Sequence, residues 1–164
     1  MSDLKTAVVY YSMHGNTEQT ARKIARLTGA DLIRIRPEKA YPDKGLRMFL
    51  RGGRGAVTAE TPKLEPYTFE PEAYGRIIIG FPVWAGTFAP PVRTFAEENR
   101  EALRAVRVAA FACQSGSGAE KAFAKLQAFL GISRLDATLV LVDPMRRPDP
   151  GNDRKIEAFV SALA

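Results

Sequence analysis

The chain has 164 residues, 46% hydrophobic and 26% charged, with a net charge of +6. That length suits one domain, residues 1–164, with a sizeable core. No apolar run approaches the roughly 20 residues that span a bilayer. A single cysteine, Cys113, excludes an internal disulfide and a cysteine zinc cluster, and the single histidine argues against a histidine metal site. Met1–Lys5 runs straight into an apolar segment with no signal-peptide pattern, so a cytoplasmic protein is expected. The positive charge is dispersed. Its densest group is Lys44, Arg47, Arg51 and Arg54. No nucleic-acid motif accompanies it, so a solvated basic surface is preferred to nucleic-acid or membrane binding.

Strand and helix patterns alternate from end to end. The first strand is expected at Lys5–Tyr11, followed by a helix at Thr17–Leu27 with Ala21, Ile24, Ala25 and Leu27 at helical spacing and Gly29 just beyond. A second strand is expected at Asp31–Arg36. Residues 37–71, rich in Pro, Gly and charge, read as a long irregular insertion with a short helix near Leu46–Leu50. Continuous apolar runs place strands at Arg76–Phe81, Val106–Cys113 and Ala137–Val142, as in a parallel sheet covered on both faces. Further helices are expected at Pro91–Asn99, Ala119–Leu130 and Asn152–Leu163. Ile156, Phe159, Val160 and Leu163 form the apolar face of the last. Five βα units imply a three-layer, doubly wound α/β fold with a five-stranded parallel sheet. Such folds bind ligands beyond the carboxyl ends of their strands.

The loops at those ends carry the chemistry. After the first strand comes Ser12-Met13-His14-Gly15-Asn16-Thr17, which leads directly into a helix. Backbone N–H groups at a helix N-terminus lack internal partners and favour an anion. The hydroxyls of Ser12 and Thr17 add donors, and Gly15 allows close approach. With no Lys or Arg in the loop, a phosphate would be held by neutral donors and the helix dipole. An ordinary capped turn, with Ser12 or Asn16 as the cap, is the alternative. After the third strand comes Pro82-Val83-Trp84-Ala85-Gly86, which holds the only tryptophan in the chain. After the fourth comes Ser115-Gly116-Ser117-Gly118. Phosphate donors, one aromatic and a run of free backbone amides together suit a flavin mononucleotide (FMN).

These three segments resemble the flavodoxin-like family, in its short-chain FMN-binding branch, over essentially the whole chain. The family's phosphate loop reads T/S-x-T-G-N-T, and Ser12–Thr17 matches it except at His14. The resemblance implies strand order 2-1-3-4-5. It implies that Ser12, Met13, His14, Gly15, Asn16 and Thr17 hold the FMN phosphate, and that Pro82, Val83, Trp84, Ala85 and Gly86 lie along the ring system. Ser115, Gly116, Ser117 and Gly118 would offer N–H groups to the pyrimidine edge. Two features depart from the family. The third loop lacks an aromatic for the outer flavin face, with Tyr41 and Phe88 as candidate substitutes or plain packing, and the chain is basic where flavodoxins are acidic. A protonated His14 would add the charge that the loop lacks. Cys113 reads as a small buried hydrophobe rather than a redox thiol.

The expected function is an FMN-binding electron-transfer protein that serves redox protein partners, acidic ones among them, as a monomer or homodimer. The alternative is an FMN-dependent NAD(P)H quinone or nitro-compound reductase on the same fold, with Tyr41, Phe49 and the arginines of residues 37–71 shaping its pocket. A flavin-free module that binds an acidic protein is the third reading.

Overall fold

The structure is a computed structural model, and it describes residues 4–42, 51, 54–56 and 59–164. The short helix expected near Leu46–Leu50, Phe49, Lys44 and Arg47 lie outside the described residues. The strands are β1 (Lys5–Tyr10), β2 (Asp31–Arg34), β3 (Tyr74–Trp84), β4 (Thr87–Phe88), β5 (Arg107–Gln114) and β6 (Thr138–Val142). The helices are α1 (Asn16–Thr28), α2 (Pro90–Glu98), α3 (Arg100–Arg104), α4 (Ala119–Leu130) and α5 (Asn152–Ala162), with a 3₁₀ turn at Pro71–Ala73.

The five long strands are all parallel in the order β2-β1-β3-β5-β6, which is 2-1-3-4-5 when only those five are counted. The expected doubly wound α/β sheet is therefore present. Successive side chains of a strand point to opposite faces, and the core divides accordingly. Ala7, Val9, Ile77, Ile79, Phe81, Ala110 and Ala112 pack with Val92 and Phe95 of α2 and Phe123 and Leu126 of α4. Val8, Tyr10, Ile78, Ala109, Phe111 and Cys113 pack with Ala21 and Ile24 of α1 and Ile156 and Phe159 of α5.

Three local expectations need correction. The third strand does not stop at Phe81. It runs on to Trp84, turns through Ala85 (φ 51°) and Gly86 (φ 71°), and returns as β4, pairing Trp84 with Thr87 and Val83 with Phe88. Positive φ at both central residues is the requirement of a two-residue type I′ hairpin, whose twist matches that of the strands. Pro82–Gly86 is thus a hairpin tip rather than an irregular loop. Secondly, Leu27 is 53% exposed, on the solvent side of the α1 stripe. Thirdly, α3 follows α2 without a break in the apolar pattern and was not expected. The insertion after β2 doubles back on itself through an antiparallel Pro37–Leu64 bridge and bonds from Glu38 N–H to the Lys63 carbonyl and from Glu65 N–H to the Arg36 carbonyl.

Candidate functional site

The loop after β1 is closed by Ser12. Its buried hydroxyl oxygen accepts the N–H of Gly15 at 3.1 Å and the N–H of Glu18 at 3.2 Å. One N–H from the loop and one from the first turn of α1 thus converge on this side-chain oxygen. Ser12 therefore acts first as an acceptor, the capping role, and only its O–H is left to donate. Gly15 has φ +99°, a conformation that side chains with a Cβ rarely adopt. Asn16 and His14 stand at the mouth of the loop, with His14 exposed and Met13 half-buried. Thr17 is different. It is 1% exposed and lies beside the buried Cys113 thiol, which meets the Thr20 hydroxyl at 3.7 Å.

Burial pushes the Cys113 thiol up to about 11 against the lowering effect of the neighbouring threonine hydroxyls. It is therefore a protonated, packed side chain, which agrees with the reading of Cys113 as a buried hydrophobe.

Trp84 is half-buried at the end of β3. Tyr11 meets its ring edge-on at 5.7 Å, and Tyr41 from the insertion meets it at 5.3 Å. Tyr41 is in turn buried, donates to Glu60 Oε2 at 3.2 Å and lies under the Arg51 guanidinium at 5.2 Å. Arg51 holds Glu60 with two bonds of 2.8 and 2.5 Å, and chiefly for that reason the Glu60 carboxyl is held below its ordinary value. Tyr41 therefore does reach the tryptophan. Phe88 does not cover the site: it is 1% exposed and packs on Phe81 and Phe129 with Arg93 over its ring.

The loop after β5 comes up against the hairpin. A Cβ on Gly118 (φ +105°) would stand 3.1 Å from Gly86 Cα and 3.2 Å from Val83 Cγ1. Ser115, Gly116 and Ser117 are exposed, and Gln114 Oε1 accepts the Ala119 N–H at the head of α4. The topology thus brings Ser12–Thr17, Pro82–Gly86 and Ser115–Gly118 to the carboxyl edge of three adjacent strands, β1, β3 and β5.

Two participants were not foreseen. Arg34 ends β2 beside Tyr10, donates to both Glu18 carboxylate oxygens at 3.0 and 3.2 Å, and reaches the Ser12 carbonyl at 3.3 Å. A cation therefore flanks a loop that has none of its own. The second is the segment after β6, where Asp143, Met145 and Arg147 touch both outer loops. A cleft of about 400 Å³ between α1 and α5, lined by residues including Thr20, Lys23, Pro148 and Ile156, contains none of the expected site residues. Among the described residues, no three His, Cys, Asp or Glu side chains are grouped to hold a metal ion, and no helix is long and apolar enough to cross a membrane.

With this geometry in view, residues 5–143 match the flavodoxin family model, and the chain belongs to the flavodoxin family. No curated protein matches it. Among solved structures it is similar to a flavoprotein in complex with FMN from Lactobacillus acidophilus NCFM, with 20% identity and TM-score 0.70, covering 93% of this chain and 98% of that one. It is also similar to a candidate flavoprotein from Bacteroides eggerthii DSM 20697, with 21% identity, TM-score 0.75 and 97% of each chain covered. A third is the flavodoxin WrbA-like protein of Agrobacterium tumefaciens, with 14% identity, TM-score 0.63 and 97% and 94% covered. At these identities the likeness is one of fold.

Proposed function

We propose that the chain binds FMN at the carboxyl edge of β1, β3 and β5 and works as an electron carrier. The observation that supports this most is the meeting of three loops, Ser12–Thr17, Pro82–Gly86 and Ser115–Gly118, at that edge, the first of them leading straight into α1. Gly15, at φ +99°, leaves a phosphate room to approach. In this reading Ser12–Thr17 hold the phosphate, with Thr17 the most buried of them at 1% exposure. Pro82–Gly86 present Trp84 to the ring, fixed edge-on by Tyr11 and Tyr41. Ser115–Gly118 offer exposed N–H groups to the pyrimidine edge. The cofactor supplies the electron chemistry, while the chain binds it, orients it and sets its electrostatic surroundings.

The redox partner in this reading is a protein, an acidic one suiting the basic chain. The location is the cytoplasm, and neither nucleic acid nor a membrane takes part. The protein works as a monomer or a homodimer. The test is an absorption spectrum and a titration of the purified protein with FMN. A yellow protein, or uptake with a dissociation constant at or below about 1 μM, is expected. A colourless protein that takes up no FMN overturns the reading.

The second reading, an FMN-dependent NAD(P)H quinone or nitro-compound reductase, draws on one observation. The insertion brings Tyr41, Arg51 and Glu60 against Trp84, where they could wall a substrate pocket. Steady-state oxidation of NAD(P)H by a quinone would favour it. Reduction only through a protein partner would favour the carrier.

A further inference from the structure

The segment from Asp143 to Arg147 is a fourth loop at the carboxyl edge of the sheet, and it has contacts at both ends of the site. The Met145 N–H donates to Asn16 Oδ1 at 3.0 Å, and its sulfur lies 3.0 Å from where a Cβ on Gly15 would stand. At the other end, Ser115 Oγ donates to Asp143 Oδ1 at 3.2 Å. Arg147 Nη2 donates to the Ser115 carbonyl and, at 2.8 Å, to Asp143 Oδ2. The segment is tightly set. Asp143 has φ +36°, its N–H bonds the Gln114 carbonyl, and the Arg147 N–H closes a turn onto the Asp143 carbonyl at 2.7 Å. A non-glycine residue held at such a φ is a strain that the surrounding contacts must support. One short segment thus touches both the Ser12–Thr17 loop and the Ser115 loop.

We infer that Arg147 is a cofactor-binding residue whose guanidinium lies at the pyrimidine edge of FMN and favours the reduced form. This rests on the FMN reading above. Reduction adds two electrons to FMN and takes up one proton from solvent, so the ring gains one negative charge, shared between N1 and O2 of the pyrimidine. A cation at that edge binds the reduced ring more tightly than the oxidised one. Arg147 is placed for this because its anchor is Ser115, the first residue of the loop that faces that edge. Its carboxylate partner does not cancel it fully. The Asp143 side chain is 17% exposed and the Arg147 side chain 58%, so the cation is the outer end of the pair. Only Nη2 is engaged in the bonds described, and a guanidinium carries five donors.

The test is the midpoint potential of the FMN-loaded protein, measured by anaerobic titration with dithionite against a reference dye. Arg147→Gln is compared with wild type, with Arg147→Lys, and with Arg134→Gln. Arg134 is an exposed arginine at the opposite pole, so its variant makes the same change in net charge. Arg147→Gln is expected to lose about tenfold of the preference for reduced over oxidised FMN, which for a two-electron couple lowers the potential by about 30 mV. Arg147→Lys should recover most of that shift, Arg134→Gln should show none, and added salt should shrink it. Wild type that binds no FMN overturns the FMN reading itself. FMN uptake with equal potentials in Arg147→Gln and Arg134→Gln overturns this inference alone. Loss of oxidised FMN in Arg147→Gln that lysine does not rescue also overturns it, since the side chain would then only hold the loop.

Discussion

Gly80 lies opposite Phe111 in the parallel pairing of β3 and β5, and the phenyl ring lies across it. A Cβ at Gly80 would stand 2.1 Å from Phe111 Cζ and 2.5 and 2.6 Å from the two Cε atoms. Carbon atoms settle at about 3.5–4.0 Å, so Gly80→Ala asks the ring to retreat by roughly 1.5 Å. There is no room. Phe111 is fully buried among Val8, Tyr10, Ile78, Cys113, Ile156 and Phe159. Overpacking of this kind costs about 1–3 kcal/mol, and expelling a phenyl ring about 3–5 kcal/mol. A loss of about 3 kcal/mol is therefore expected, or roughly 6–12 °C in Tm for a domain of this length.

Urea unfolding reads the loss as a fall in midpoint without a change of slope. The decisive comparison is with Phe111→Leu, which removes the ring. In that background Gly80→Ala should cost about 1 kcal/mol or less, leaving a coupling of about 2 kcal/mol between the two positions. A single variant within about 1 kcal/mol of wild type, or an equal penalty in both backgrounds, would refute the steric argument.

Ser12→Ala removes the acceptor shared by the Gly15 and Glu18 N–H groups, so it should cost about 1–2 kcal/mol in the free protein and weaken FMN binding at least about tenfold; unchanged calorimetric affinity would contradict the phosphate role. Gly118→Ala forces a Cβ against Gly86 and Val83 at φ +105°, with strain of about 1–3 kcal/mol, and should push the hairpin and the Ser115 loop apart. A crystal structure of that variant with the two loops undisplaced would count against their close packing. For Cys113 the unfolded thiol titrates near ~8.5, and the folded one is raised to about 11. Between these values the unfolded chain has lost a proton that the folded chain keeps. The thiol's contribution is therefore complete below ~8.5 and declines as pH rises towards 11. Unfolding midpoints across this range should fall less steeply in Cys113→Ala than in wild type.

The alternation of strands and helices was readable because each buried strand is an uninterrupted apolar run, Ile77–Ile79 being the clearest, and each helix carries a one-sided stripe. The turn from Ser12 into α1 was readable because its signal is local: Ser12, Gly15 and the helix start lie close together in the chain. The β3–β4 hairpin was not. Its tip is Ala85-Gly86, and an alanine at φ 51° replaces the Asn-Gly or Asp-Gly that announces a type I′ turn. Leu27 misled because apolar character does not say which side of a stripe's edge meets water. The positions of Arg34 and Arg147 were out of reach for another reason. They depend on strand order and on contacts between residues far apart in the chain, such as Met145 with Asn16. No local pattern encodes such pairings.

The charge of the chain and the charge at the site lead to opposite expectations about salt. The net charge is +6, yet three cations at the carboxyl edge each face a carboxylate: Arg34 on Glu18, Arg51 on Glu60, Arg147 on Asp143. The loop Ser12–Thr17 itself contributes no Lys or Arg, and its donors are neutral N–H groups at the start of α1. Interactions of this kind act at hydrogen-bond range and are poorly screened, whereas encounter with an acidic partner draws on the long-range field. FMN affinity should therefore change by less than about threefold between ~0.05 and ~0.5 M salt, while association with an acidic redox protein slows by about tenfold or more. Fluorescence titration of FMN and stopped-flow mixing with the partner read the two quantities separately. An FMN affinity that falls tenfold with salt would mean that a cation carries the phosphate after all, with His14 in its charged form or Arg34 released from Glu18. Repeating the titration in His14→Ala, and again in Arg34→Gln, would separate those two.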